Sequence, residues 1–299
     1  MRTTTESMTT GTPQKRALLI AGPTASGKSA LALDLARKWN GVIINADALQ
    51  VYEPLRILSA RPTPGEEAMV PHRLYGHVGP AAQFSVARWL KEASLEIEAT
   101  WERGLYPIIT GGTGLYFRAL EKGLAPVPEI PDEIRNRWRS FEGDLHAELW
   151  QRDPAMASRL LATDRQRLSR ALEVVDATGR SLLDWQKQGQ EAALLEGATV
   201  ERIFMDVPRD ELYARAELRF DQMLKAGALE EVRPLADLDP ALPMMRAIGV
   251  PELVSHLKGE ITLEEAATRA KTATRQYIKR QLTWWRGQMA HWRGGEASP

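Results

Sequence analysis

Short apolar runs that stop on a glycine or a carboxylate alternate along this chain with stretches whose apolar residues return every three or four positions. The first run, Ala17-Leu-Leu-Ile-Ala-Gly22, ends in glycine, and beyond a loop Leu31, Leu35 and Trp39 recur at helical spacing, which predicts strand, loop and helix. A second run, Gly41-Val-Ile-Ile-Asn-Ala-Asp47, is rich in β-branched residues and closes on a carboxylate. LYPIITGGTGLYFRAL leads from a third strand through a glycine turn into a helix, and ERIFMDV (201–207) reads as a fourth strand. Such alternation predicts an α/β fold with a mostly parallel sheet flanked by helices, whose ligands gather beyond the carboxyl ends of the strands. Gly22, Asp47 and Gly111 all lie at such ends.

The pattern changes after APVPEIP, a proline-rich stretch suited to a linker. From 126 to 197 only helical periodicity is visible, so a helical domain is expected there, inserted between core segments 17–125 and 198–299. From Arg209 onward the chain is again helical.

Composition narrows the picture. At 299 residues, 43% hydrophobic and 26% charged, the chain is an ordinary globular protein. It has no cysteines, which excludes disulfides and thiolate metal sites and makes a reducing cytoplasm the expected location. No apolar run approaches a membrane span, and residues 1–16 lack the apolar stretch of a secretory signal and read as a disordered leader. The formal net charge is zero, yet Arg269, Lys271, Arg275, Lys279, Arg280, Arg286 and Arg293 follow one another with no Asp or Glu between them. Such a segment suits a polyanion.

Gly22-Pro-Thr24-Ala25-Ser26-Gly27-Lys28-Ser29 fits G-x-x-x-x-G-K-[ST] in strand–loop–helix context, which makes the fold P-loop NTPase-like. Its glycines let backbone N–H groups converge on an anion at a helix start, Lys28 adds a point charge, and the Ser29 hydroxyl can bind a phosphate-bound Mg²⁺. The bland alternative is a glycine turn that caps a helix. The loop alone does not separate a nucleoside triphosphate from another diphosphate. Asp47 could be a magnesium ligand, a helix cap or a general base, and the turn at 110–114 brings backbone donors and the Thr113 hydroxyl to the same rim.

GPTASGKSALA, NADALQVY, SARP, PHRL, ITGGTGLYFRAL, RQRLSRALEV, RFDQML, RAIG and TRQYIKRQLTWWR occur here in the order found in the bacterial tRNA dimethylallyltransferases. The chain resembles that family over residues 17–292. The resemblance implies that the loop holds the pyrophosphate of dimethylallyl diphosphate, and that the prenyl group goes to the exocyclic amine of the adenosine 3′ of the anticodon, in tRNAs reading codons that begin with U. It implies Asp47 as general base with Thr113 beside the amine. Residues Gly22 and Thr24 to Ser29, with Mg²⁺ on Ser29 and with Arg219, would neutralise the pyrophosphate. An anticodon stem-loop would be gripped by Asp47, Ala48, Leu49 and Gln50, by Gln166, Arg167, Leu168, Ser169 and Arg170 of the insertion, and by Arg246, Lys279, Arg280 and Arg286. A monomer without an obligate protein partner is the family expectation.

The residues themselves leave some points open. Lys271, Arg275 and Lys279 would form one basic stripe on a helix, and Trp284 and Trp285 could be core or could stack on bases. Leu168, Leu172 and Val175 form an apolar face, with Arg167 and Arg170 directed to phosphate. Ala48 stands where the family usually has Ser, Leu58-Ser59-Ala60-Arg61-Pro62 where it has Gly-Thr-Ala-Lys-Pro, and Val250 where it has Tyr. Two rival readings share the loop: a small-molecule P-loop kinase using ATP, and an RNA-binding protein with a nucleotide switch.

Overall fold

The computed structural model describes residues 15–188 and 194–294. Two compact units emerge, Met1–Glu121 together with Leu194–Pro299, and Lys122–Ala193. The first is built on β1 (Arg16–Ala21), followed by α1 (Lys28–Trp39), β2 (Gly41–Asn45), α2 (Pro64–Met69), β3 (His72–Arg73), α3 (Val86–Glu102), β4 (Tyr106–Gly111) and α4 (Gly114–Lys122). The second unit carries α5 (Asp132–Arg139), α6 (Leu145–Arg152), α7 (Pro154–Ala157), α8 (Arg165–Thr178) and α9 (Leu182–Lys187). The chain then returns to the first unit with β5 (Thr199–Phe204), α10 (Arg209–Lys225), α11 (Ala228–Val232), α12 (Val250–Leu257) and the long α13 (Leu263–Gln288).

The five strands form one parallel sheet in the order β3-β2-β4-β1-β5. The expected strands are all present, and a fifth, β3, is too short at two residues for any periodicity to announce it. The unbroken apolar runs follow from burial on both faces. Ala17, Leu19, Ala21, Val42, Ile44 and Ile109 enter one core with Trp89, Phe117 and Trp285, while Leu18, Ile20, Ile43 and Ile108 face α1 on the other side. On α1 the innermost residues are Ala32 and Ala36 rather than the larger side chains at helical spacing. Small residues bring the helix close to the sheet, and Trp39 is left 40% exposed, in edge contact with Tyr106.

A further core joins residues 51–55 to α10, α11, α12 and the start of α13. There the Glu231 carboxylate accepts the backbone N–H groups of Arg56, Ile57 and Leu58 at 2.8, 2.6 and 2.9 Å. One side chain thus fixes a loop that has no secondary structure to satisfy its donors. Glu231→Ala is expected to lower the unfolding free energy by about 2–3 kcal/mol, read as a lower denaturation midpoint at unchanged m.

In the unit Lys122–Ala193 the regular elements among the described residues are all helices, packed around Trp138, Leu145, Leu149, Leu168 and Leu172. Glu173 is buried on α8 and ion-paired to Arg139 and Arg170, each at 3.2 Å.

Candidate active site

Strand order places the site. β4 lies between β1 and β2, so the phosphate loop after β1, Asp47 after β2 and the glycine turn after β4 stand side by side at one edge. Gly27 caps α1 with φ at 90°, a left-handed conformation that glycine adopts without strain, and no side chain caps the helix there. The first N–H groups of α1 are therefore left to an anion.

Lys28 reaches back to donate to the Pro23 carbonyl at 3.1 Å. Burial pulls its ammonium down to about 8, against the attraction of Asp47 and with some help from Arg219. Arg219, on α10, donates to the Thr24 hydroxyl at 2.5 Å; burial lowers its guanidinium and Asp47 opposes that. Ser29 is exposed at the first turn of α1.

Asp47 is held by a residue the sequence reading passed over. Asn45, fully buried, accepts the Asp47 N–H at 2.9 Å and donates to the Asp47 and Leu74 carbonyls at 3.0 Å each. Its own carbonyl accepts from the Trp89 indole at 2.7 Å, and Trp89 stacks on Tyr116 with centroids 4.2 Å apart. Asp47 Oδ1 accepts from Leu49 N–H at 3.0 Å. Thr113 accepts from Ala48 N–H at 3.0 Å, so its hydroxyl is fixed next to the carboxylate.

Three phenols lie within the electrostatic reach of this carboxylate. Tyr75, Tyr116 and Tyr277 are all pushed upward, first by burial and then by the negative charge of Asp47. They stay neutral. An asparagine inside an otherwise apolar strand was the available signal for Asn45; the tyrosines carry none, because they come from three distant segments.

Behind Ser29 lies a small cavity of about 50 Å³ lined by Arg61, His72, Tyr75 and Thr110 among others. Arg61 Nε and Thr110 Oγ1 are buried without partners. The Ser59 hydroxyl donates to the Leu55 carbonyl and Arg61 Nη1 to the Tyr52 carbonyl, so both bind within their own loop. Val250, at the start of α12, is fully buried in the core.

The residues expected to meet RNA fall into two sets. Gln166, Arg167, Arg246, Lys279, Arg280 and Arg286 are exposed. Leu168 is not: its side chain is fully buried in the helical unit, and Ser169 is buried with its hydroxyl donating to the Trp138 carbonyl. Neither side chain offers an RNA contact, because α8 turns both inward. Arg170 is tied to Glu173 and Gln50 donates to the Ser59 and Ala60 carbonyls; Ala48 and Leu49 are half-buried. The basic stripe is also changed by its neighbours. Lys271 pairs with Asp221, and Arg275 with Glu217, both acids supplied by α10. Trp285 is core, and Trp284 packs partly buried against the same cluster.

A Cys-, His- or acid-rich metal cluster does not occur among the described residues, and none of their helices is long and apolar enough to cross a membrane.

Residues 50–288 match the model of the IPP transferase family, and residues 15–78 that of isopentenyl transferases. The chain is 54% identical over 284 residues to the tRNA dimethylallyltransferase of Nitrobacter hamburgensis, covering 93% of this chain and 89% of that one. It is 53% identical to that of Rhodopseudomonas palustris, over 97% and 94%. Among solved structures it resembles the tRNA Δ2-isopentenylpyrophosphate transferase of Staphylococcus epidermidis at 34% identity and TM-score 0.64, covering 92% and 91%. A eukaryotic dimethylallyltransferase acting on tRNA matches at 29% identity and TM-score 0.77, over 91% of this chain and 70% of that one.

Proposed function

This chain belongs to the IPP transferase family and is a tRNA prenyltransferase, and we propose that Asp47 is its general base and the phosphate loop its leaving-group site. The substrate is dimethylallyl diphosphate, and the acceptor is the N6 amine of the adenosine 3′ of the anticodon in tRNAs reading codons that begin with U. The N6 nitrogen forms a bond to the first carbon of the prenyl group as that carbon's bond to oxygen breaks. Asp47 takes the proton from nitrogen, and the electron pair leaves with diphosphate. Lys28, Arg219 and the free N–H groups at the start of α1 meet the charge that gathers on the leaving group.

The observation that carries this reading is that a single carboxylate, Asp47, and an uncapped phosphate loop stand at the same edge of the sheet, beyond the ends of β2 and β1 with only β4 between them. Thr113 orients the backbone at Ala48 and lies beside the amine. Ser29 would hold Mg²⁺. The fit is to a metal that brings diphosphate oxygens with it, since the protein supplies a hydroxyl and not a carboxylate cluster. Bound there, the ion adds positive charge to the leaving group. The adenosine has to leave its stack to reach Asp47, and the reaction runs where tRNA is found, in the cytoplasm.

The test is nucleoside mass spectrometry on unmodified tRNA incubated with the protein, Mg²⁺ and dimethylallyl diphosphate, without ATP. A dimethylallyl mass gain on adenosine supports the reading; no gain, with ATP consumed on a small hydroxylated substrate, moves the protein to the kinases.

The RNA surface has its own prediction. Lys279 and Arg280 are exposed and without carboxylate partners in the described contacts, whereas Lys271 is neutralised by Asp221. Replacing Lys279 and Arg280 together by alanine is expected to reduce the slope of log affinity against log salt by about 1.5. Lys271→Ala leaves the slope as it was. Equal slopes for both variants place the RNA phosphates elsewhere.

A further inference from the structure

Gln281 is a buried polar residue on the apolar side of α13, between Ile278, Leu282 and Trp285. Its Oε1 accepts the Thr24 N–H at 3.0 Å, and its Nε2 donates to the Gly112 carbonyl at 3.0 Å. One amide therefore bridges the phosphate loop and the glycine turn. The turn is glycine at this point because a Cβ on Gly112 would lie 2.6 Å from Gln281 Nε2 and 3.4 Å from Asp47 Oδ2. The bridge thus passes directly beside the base.

Thr24 is held twice. Its N–H goes to α13 through Gln281, and its hydroxyl to α10 through Arg219. These two helices pack against each other through Leu212, Ala216, Ile278 and Leu282 and are joined at their surface by the pairs Lys271–Asp221 and Arg275–Glu217. Immediately before Gln281 on the outer side of α13 stand Lys279 and Arg280.

Resting on the tRNA prenyl-transfer reading, we propose that Gln281 is a positioning residue that couples the RNA surface of α13 to the diphosphate cradle. Gln281 sets the start of the phosphate loop against the Asp47 turn. RNA seated on Lys279 and Arg280 fixes α13, and Gln281 carries that ordering to Thr24, so that the loop is in register with the base only when both ligands are present. A shift of α13 without the bridge would leave the two halves of the site independent.

The experiment measures affinity for inorganic diphosphate with Mg²⁺, by calorimetry, with and without a saturating anticodon stem-loop RNA. For the unaltered protein the RNA is expected to tighten diphosphate by about 5-fold or more. In Gln281→Met, which keeps the packing volume, that factor falls to about one while diphosphate alone binds within about 3-fold of the unaltered protein. Gln281→Glu keeps the acceptor for Thr24 but turns a carboxylate toward the Gly112 carbonyl, and lies between the two. The proposal is overturned if the Met variant keeps the full coupling factor, if the unaltered protein has none, or if the variant loses the same affinity with and without RNA, as a purely local brace would. Absence of RNA binding by the unaltered protein, read from the RNA titration alone, instead removes the functional reading and this inference with it.

Discussion

Asp47→Asn is expected to slow the chemical step by about two to four orders of magnitude, with tRNA affinity unchanged. The substitution is nearly silent for the structure. Asn45 holds the backbone of residue 47 from both sides, and an asparagine retains the oxygen that accepts from Leu49 N–H. What it loses is the capacity to accept a proton. The buried phenols nearby are raised by burial and by Asp47 itself, so none of them offers a replacement base near neutral pH. Single-turnover rates with radiolabelled dimethylallyl diphosphate, alongside filter-binding of tRNA, separate the two quantities. A variant that turns over near the normal rate removes Asp47 from the role of base, and one that loses tRNA instead makes it a recognition residue.

Lys28→Met is expected to cut kcat/KM by about 10²–10³, the size of effect that follows loss of one preorganised charge on a leaving group. Its ammonium titrates near 8 because burial outweighs the pull of Asp47. The sign of the pH effect follows. Below that value the side chain is already charged, and diphosphate binds without taking up a proton. Above it the free protein holds a neutral amine, and binding a polyanion has to recruit a proton first. Affinity for dimethylallyl diphosphate should therefore fall as pH rises beyond about 8, by up to about tenfold per pH unit. Lys28→Arg stays charged throughout and should lack that fall, which also controls for titration of the ligand. Parallel pH curves for the two proteins would mean that Lys28 does not neutralise the diphosphate.

The sequence by itself determined the α/β class, the parallel sheet and the phosphate loop, because each rests on local order. Apolar runs of strand length buried on both faces read as continuous hydrophobic stretches, and the loop needs its glycines, Lys28 and Ser29 at fixed spacing whatever surrounds them. The family motifs carried the candidate residues Asp47, Thr113 and Arg219 in the same way, as short words in a fixed order. Tertiary structure decided what no local window contains. Strand order put the ends of β1, β4 and β2 side by side. It packed α13 against α10, whose acids neutralised Lys271 and Arg275, a pairing invisible in a segment that has no acids of its own. It turned Leu168 and Ser169 into the helical core and left Gln166 and Arg167 outside. It also brought Tyr75, Tyr116 and Tyr277 within the electrostatic reach of Asp47, and Gln281 onto Thr24. The physical reason is common to all of these: a charge or an amide acquires its role from the partner it meets across the fold, and that partner lies tens to hundreds of residues away in the chain.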